Sequence, residues 1–159
     1  MTDIAPPSRF PWPPVLLLSA LLAGYGFDRV YPLHHALMLP VWIATLGGAV
    51  IAIGLAIDIF AARHLLRSDT ELLPHRPACK LIDDGPFRFS RNPIYLGNGL
   101  IILGAAVLFA NAWLAIALRV YWLLVTQLAI KPEERHLAAL FGEEWQSYKR
   151  RTPRWFGPF

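Results

Sequence analysis

Cysteine and charged side chains are both scarce in this sequence. Its 159 residues contain a single cysteine, Cys79, so no disulfide can form within the chain. No metal signature is present either, because there is no cysteine pair and the histidines His34 and His35 are adjacent. Charged residues make up 16% of the chain, against about a quarter in a soluble domain, and 55% are hydrophobic. The composition therefore predicts an integral membrane protein, with one domain over 1–159.

Four apolar stretches are candidates for helices that cross the hydrocarbon core, which needs about 20 residues. They cover roughly 13–27, 37–61, 94–110 and 112–130. Asn111 alone separates the last two, which predicts a tight helical hairpin. The expected fold is all-α, a polytopic membrane bundle of about four transmembrane helices. The first stretch also has the pattern of a signal peptide, since Arg9 precedes it, and that alternative predicts its removal.

Lysine and arginine are concentrated on one side of this predicted bundle. With four spans, the N-terminus, the 62–92 loop and the C-terminal tail share a side. The loop and the tail carry six Lys or Arg residues each, whereas the opposite side has only Arg29. The positive-inside rule makes the basic side cytoplasmic. Topology and contact with membrane lipids account for these charges, so nucleic-acid binding is not predicted.

The segment 83–97 contains the most informative motif of the chain. Gly85-Pro86 is a turn signal, and Pro93 suits the first position of a helix, with Asn92 as its N-cap. The first turn of that helix directs free N–H groups at the cytoplasmic surface, where Arg88 and Arg91 add positive charge. Two interpretations stay open: an anion-binding helix start, or a capped helix flanked by topology-setting arginines.

A C-terminal amphipathic helix is predicted after the fourth span. Pro132, Glu133 and Glu134 suit a helix start, and apolar residues then recur at helical spacing (Leu137, Leu140, Phe141, Trp145 and Tyr148). A surface anchor explains this apolar stripe. It does not explain two adjacent acids at the membrane boundary.

Small and charged residues inside the spans allow two interpretations. Most glycines there indicate close helix packing, but Gly97 and Gly99 lie at the cytoplasmic mouth, where backbone can approach a ligand. Arg119 lies within the fourth span and is expected to face protein or a wet cavity. It either snorkels or pairs with a carbonyl, or it contacts a substrate deep in a cavity.

Three ordered blocks together resemble the isoprenylcysteine carboxyl methyltransferase family and the related phospholipid methyltransferases. They are 70–74 followed by 81–85; Gly85-Pro86-Phe87 with 91–97; and Glu133-Glu134-Arg135 with 141–144 and 148–151. The resemblance covers roughly 56–159. The chain reads Arg-Asn-Pro-x-Tyr where eukaryotic members have Arg-His-Pro-x-Tyr. Asn92 does not titrate near neutrality, so it is interpreted as a cofactor contact and helix cap.

The resemblance implies methyl transfer from S-adenosylmethionine to a lipid or lipidated small molecule, with the cofactor bound by roughly 70–159. It implies cofactor contacts by Asn92, Tyr95, Leu96, Gly97, Gly99 and Glu133, catalytic roles for Arg91, Glu133 and Glu134, and substrate contacts by Arg88, Arg119, Arg151 and Arg154. A carboxylate acceptor is ionised at neutral pH and needs no base. An amine needs deprotonation, and His136 is the one histidine in the motifs. Carboxylate chemistry is therefore favoured.

Two other classes of protein compete with this interpretation. Membrane sterol reductases resemble the same C-terminal half and use a nicotinamide dinucleotide, although they are usually much longer. A non-catalytic membrane scaffold of the same fold is the second alternative, and Arg91, Tyr95 and Glu133 argue against it. Binding of S-adenosylhomocysteine rather than a dinucleotide discriminates these possibilities.

Overall fold

The computed structural model describes residues 11–33, 40–67 and 80–156, and this part of the chain is built from helices. The helices are α1 Trp12–Val30, α2 Val41–Arg67, a 3₁₀ turn Gly85–Arg88, α3 Pro93–Leu108, α4 Ala112–Val125, a π-helical turn Thr126–Ile130 and α5 Lys131–Arg151. The predicted all-α helical bundle is confirmed. The Arg9 signal pattern, the pair His34 and His35, Cys79 and the 70–74 block lie outside the described residues.

Helices α2 and α3 pack antiparallel through two pairs of glycines. A Cβ atom on Gly47 would lie 2.8 Å from the carbonyl oxygen of Gly104, and one on Gly54 would lie 2.7 Å from that of Gly97. Both distances are shorter than van der Waals contact. A residue with a Cβ atom at either position would therefore force the two backbones apart. The close packing predicted for Gly47, Gly54 and Gly104 is confirmed, and Gly97, which was predicted to allow the approach of a ligand, takes part in the same packing.

Helices α3 and α4 form the predicted tight hairpin, and Asn111 shapes it. Its side-chain oxygen accepts a hydrogen bond from the Leu114 amide at 3.0 Å, which caps α4. Its amide nitrogen donates to the Gly24 carbonyl at 3.3 Å and so ties the hairpin to α1. Helix α1 packs along α4, and the core between these helices includes Leu16, Tyr121 and Val125.

Two helices are long and apolar enough to cross a membrane by length and composition: α2 and the continuous helix 112–151. The core helix of a soluble protein would be mostly buried. In α2, only 11% of the most apolar stretch is buried. Its outer face instead carries exposed Leu46, Ile53 and Phe60. Lipid is the solvent that suits such a face. The number of spans and the orientation in the membrane stay predictions.

Helix α5 continues directly from α4 through the π-helical turn and then bends sharply. The Lys131 amide donates to the Thr126 carbonyl, five residues back, and Pro132 has no N–H with which to continue the regular ladder. Gly142 has φ 48° and ψ −116°, which divides α5 into two arms, 131–141 and 143–151. The predicted amphipathic helix is therefore two arms, and Trp145 and Tyr148 of the second are buried.

Candidate functional site

The C-terminal tail after α5, residues 152–156, folds back over the start of α3. The Arg91 amide donates to the Pro153 carbonyl at 3.0 Å. The side-chain amide of Asn92 donates to the Arg154 carbonyl at 3.0 Å, as does the Ser90 hydroxyl at 3.2 Å. Asn92 occupies the N-cap position as predicted, but its side chain makes no capping hydrogen bond, because the tail uses it instead. Residues more than 60 positions apart thus form one surface.

Glu134 is the centre of an ion-pair cluster beneath this surface. Its Oε1 atom accepts from Nη1 of Arg91 at 2.8 Å and from Nε of Arg154 at 3.0 Å, and its Oε2 accepts from Nη2 of Arg154 at 2.6 Å. Both oxygens of Glu134 are therefore engaged by guanidinium groups. The hydrogen bonds to Glu134 raise the pKa of Arg154, whereas burial lowers the pKa of Arg91.

Arg91 is nearly inaccessible, with 8% of its side chain exposed. Besides Glu134 it donates through Nε to the Thr152 carbonyl at 3.0 Å, and its guanidinium lies 5.5 Å from the centre of the Trp145 ring. These contacts give Arg91 a positioning role, since it connects the loop, α5 and the tail. A direct contact with substrate or cofactor stays a prediction.

Glu133 projects away from Glu134, because consecutive helical residues are about 100° apart. The Tyr95 hydroxyl of α3 donates to its Oε2 at 3.4 Å. The surrounding protein raises the pKa of Glu133 to about 7, chiefly by desolvation, and the hydrogen bond from Tyr95 opposes that rise. Glu133 nevertheless keeps an exposed surface, so contact with water limits the effect. It is the one of the two glutamates whose carboxylate is open to a ligand.

The backbone of Tyr95 is held in place by Tyr121 of α4. The Tyr121 hydroxyl donates to the Tyr95 carbonyl at 3.1 Å, and Tyr121 is 1% exposed. A second tyrosine, Tyr148, donates from its hydroxyl to the Phe87 carbonyl at 2.7 Å and so fastens the 3₁₀ turn to α5. Sequence reasoning missed both roles. The only available signal was a hydroxyl within an apolar helical face.

The two glycines predicted as ligand contacts are explained by helix packing. A Cβ on Gly97 would collide with the carboxylate of Asp58 and with the Gly54 carbonyl, and one on Gly99 would lie 2.5 Å from the Trp122 ring. Both residues are buried, and Leu96 beside them is half-buried. Their predicted contact with a cofactor stays a prediction.

Three further arginines were predicted to contact the substrate: Arg88, Arg119 and Arg151. Arg88 is exposed on the 3₁₀ turn, and Arg151 pairs with Asp83. Arg119 is exposed on the outer face of α4, so the expectation that it faces protein is wrong, and this position is compatible with the snorkelling interpretation. The inward face of α4 is occupied by Leu114, Tyr121 and Val125. Substrate contacts by Arg88, Arg119 and Arg151 stay predictions.

A histidine–carboxylate pair next to the site was also missed. Nε2 of His64, near the end of α2, lies 2.7 Å from Oδ1 of Asp84. This hydrogen bond lowers the pKa of Asp84. Gly85 has φ 55°, and a Cβ there would lie 2.7 Å from the His64 ring. The two partners are 20 residues apart, so no local spacing could have revealed the pair.

A family model, phospholipid methyltransferase, matches residues 42–144 of the chain. The matched range includes Arg91, Tyr95, Glu133 and Glu134. The chain therefore belongs to the phospholipid methyltransferase family.

Three relatives are similar over parts of the chain. The cobalt-zinc-cadmium resistance protein CzcN of Cupriavidus metallidurans is 34% identical over 76 residues, which are 48% of this chain and 35% of that protein. The nickel-cobalt-cadmium resistance protein NccN of Alcaligenes xylosoxydans is 31% identical over 81 residues, 51% of this chain and 38% of that protein. An uncharacterised protein of Haemophilus influenzae is 34% identical over 64 residues, 39% of this chain and 98% of that protein. The chain thus spans little more than a third of the two resistance proteins.

Proposed function

We propose that this protein is an S-adenosylmethionine-dependent methyltransferase that modifies a lipidic substrate at the membrane. The observation that carries the proposal is the division of roles between two adjacent glutamates. Both carboxylate oxygens of Glu134 are hydrogen-bonded to Arg91 and Arg154, whereas the carboxylate of Glu133 is exposed and contacts Tyr95. Membership of the phospholipid methyltransferase family supports the same activity.

The residues around Glu133 suit the proposed cofactor. S-adenosylmethionine carries an ammonium group and ribose hydroxyls, which are donors that a carboxylate accepts well. Glu133 would accept these hydrogen bonds, while Tyr95, Asn92 and Leu96 would frame the adenosine. When bound, the cofactor supplies a methyl group already activated on a sulfonium. The protein therefore has to hold the acceptor in line and keep water out.

The ion-pair cluster would hold the segments around this site in a fixed arrangement. Arg91, Glu134 and Arg154 join the start of α3, the first arm of α5 and the tail, and those are the elements that surround Glu133 and Asn92. We assign positioning roles to these three residues. A fixed geometry matters here because a displacement of about 1 Å can cost about a hundredfold in rate.

The proposed acceptor is a carboxylate of a lipid or lipidated molecule, similar to isoprenylcysteine. A carboxylate is ionised at neutral pH, so it attacks without a base. We place the α5 side of the bundle in the cytoplasm, because the 62–92 loop and residues 131–154 carry the excess of Lys and Arg. The cofactor would then enter from the cytoplasm, while the acceptor would enter laterally from the bilayer.

Calorimetric titration of the detergent-purified protein with S-adenosylhomocysteine tests the proposal. We expect saturable binding that Glu133→Gln weakens by about tenfold or more, since hydrogen bonds to charged groups contribute about 1.5–3 kcal/mol. Glu143→Gln is the matched control, because Glu143 is exposed on the second arm of α5, and it should bind as the wild type does. A folded wild type that binds NADPH but not S-adenosylhomocysteine would support the reductase alternative instead.

The acceptor chemistry has its own test. The protein is incubated with S-adenosylmethionine labelled on its methyl group and with extracted membrane lipids, and labelled lipid is then treated with alkali. A methyl ester releases labelled methanol, whereas a methylated amine keeps the label. Alkali-stable label would reject the carboxylate while leaving methyl transfer in place.

A further inference from the structure

A cleft of about 450 Å³ lies between the two arms of α5, and of its described lining residues only Glu134 has a role in the proposed methyl transfer. Its lining includes Gln127, Lys131, Glu134, Arg135, Trp145 and Lys149. The bend at Gly142 brings the second arm back toward the first, so residues far apart on a straight helix line one cavity. Buried Trp145 gives it an apolar wall.

The charge of this cleft is strongly positive. Lys131 and Arg135 stand one turn apart on the first arm, and Lys149 comes from the second arm. Among the described residues of the lining the only acid is Glu134, and its charge is already paired with two arginines, Arg91 and Arg154. Three cationic side chains from two arms therefore surround a space to which the described part of the chain contributes no free carboxylate. Such an arrangement favours a ligand with more than one negative charge or several acceptor oxygens.

The cleft also lies at the end of an apolar helix surface. Leu123, Leu124 and Leu128 are exposed on the turns that precede Lys131. A ligand with acyl chains could lay them along these leucines while its polar group reached the lysine. Along this helix an apolar surface is followed by a basic cleft. This arrangement matches that of the acyl chains and the headgroup in a phospholipid.

We propose that this cleft binds a phosphate group, and that the group is the headgroup phosphate of an anionic phospholipid. The side chains of Lys131, Arg135 and Lys149 donate to the phosphate oxygens. Gln127, whose Oε1 accepts from Nζ of Lys131 at 2.9 Å, orients the lysine. The proposal does not depend on methyl transfer, because Glu133 and Tyr95 are not among the described lining residues and Glu134, which is, has only a positioning role in that reaction.

Competition calorimetry in a non-ionic detergent tests the site on the full-length protein. The probes are inorganic phosphate and dihexanoyl phosphatidic acid, with dihexanoyl phosphatidylcholine as a zwitterionic comparison. The variants are Arg135→Gln and Lys149→Gln. Arg150→Gln is the matched control, because it removes the same charge from the residue next to Lys149, and Arg150 does not line the cleft.

We expect phosphatidic acid to bind most tightly and inorganic phosphate to compete with it. Arg135→Gln and Lys149→Gln should each weaken both probes by about three- to tenfold, whereas Arg150→Gln should change them by less than about twofold. Inorganic phosphate that binds as tightly as phosphatidic acid would keep the phosphate site but reject the lipid as its source. Absence of saturable binding to the wild type, or equal weakening by Arg150→Gln and Lys149→Gln, would reject the site.

S-adenosylhomocysteine separates this proposal from the proposed function. Glu133→Gln should leave phosphatidic acid binding unchanged, and Arg135→Gln should leave S-adenosylhomocysteine binding unchanged. If S-adenosylhomocysteine displaces phosphate, the cleft belongs to the cofactor and the phosphate site is rejected. If phosphate binds and S-adenosylhomocysteine does not, the proposed function is rejected alone.

Discussion

Both carboxylate oxygens of Glu134 accept hydrogen bonds from the guanidinium of Arg154, at 3.0 and 2.6 Å. This bidentate pair links the first arm of α5 to the tail, and Arg91 adds the start of α3 to the same carboxylate. Bidentate arginine–carboxylate pairs fix geometry as well as charge. The cluster therefore determines how three segments that are distant in sequence surround the candidate site.

Glu134→Gln should destabilise the protein by about 3 kcal/mol, because it leaves Arg91 buried without its counter-ion. Thermal unfolding in detergent measures the effect. Glu144→Gln is the control, since Glu144 is exposed on the second arm, and it should change stability by less than about 0.5 kcal/mol. Equal melting temperatures for the two variants would show that the cluster does not hold the fold together.

Gly97→Ala should destabilise the bundle by about 1–3 kcal/mol through overpacking of α2 against α3. The new methyl group would collide with the Gly54 carbonyl and the Asp58 carboxylate. Gly48→Ala provides the control, because a Cβ at Gly48 meets no atom within 4 Å, and alanine favours a helix by about 1 kcal/mol. Unfolding of both variants is compared in one detergent, and a Gly97→Ala variant as stable as Gly48→Ala would contradict the close packing.

Binding of S-adenosylhomocysteine should strengthen as the pH rises from 5.5 toward 7 and then level off. Desolvation raises the pKa of Glu133 above the usual range of a carboxyl, so at the acid end of this range more of it is protonated and it accepts hydrogen bonds more weakly. A ligand that prefers the ionised form must therefore release a proton on binding below this pKa. Calorimetry at several pH values measures the trend. Glu133→Gln should remove it, and a trend that survives in this variant would assign the titration to another group.

Arg119→Leu should leave S-adenosylhomocysteine binding within about twofold of the wild type and should not lower the melting temperature. Arg119 is exposed on an apolar face of α4, and in the proposed transmembrane arrangement a charge near the centre of that helix costs about 2.5–3.5 kcal/mol. Arg91→Leu is the contrasting variant and should unfold at a lower temperature, because it removes a buried partner of Glu134. A large loss of S-adenosylhomocysteine binding in Arg119→Leu would instead indicate that Arg119 contacts the ligand.

Helix positions could be predicted from local sequence because their signals are local. Pro93 begins α3 as expected, and Asn111 makes the hairpin turn. The continuation of α4 into α5 was missed, since Pro132 reads as a helix start and the π-helical turn that carries the helix past it has no sequence signature. The exposure of Arg119 was missed as well. Hydropathy gives the depth of a residue in a span, but only packing determines which face of the helix it occupies.

Composition and motif order were enough to assign the class of this protein. Its apolar runs carry too little charge for a soluble domain, and its family membership confirms the resemblance that the ordered motifs indicate. Which of the motif residues are available for chemistry depends on how α3, α5 and the C-terminal tail pack together. Glu133 and Glu134 are the same residue type at adjacent positions, so the sequence alone does not distinguish them. Glu134 pairs with two arginines, whereas Glu133 is exposed beside Tyr95. The physical reason is that the two side chains point in different directions from the helix, and their partners come from segments about 20 to 43 residues away.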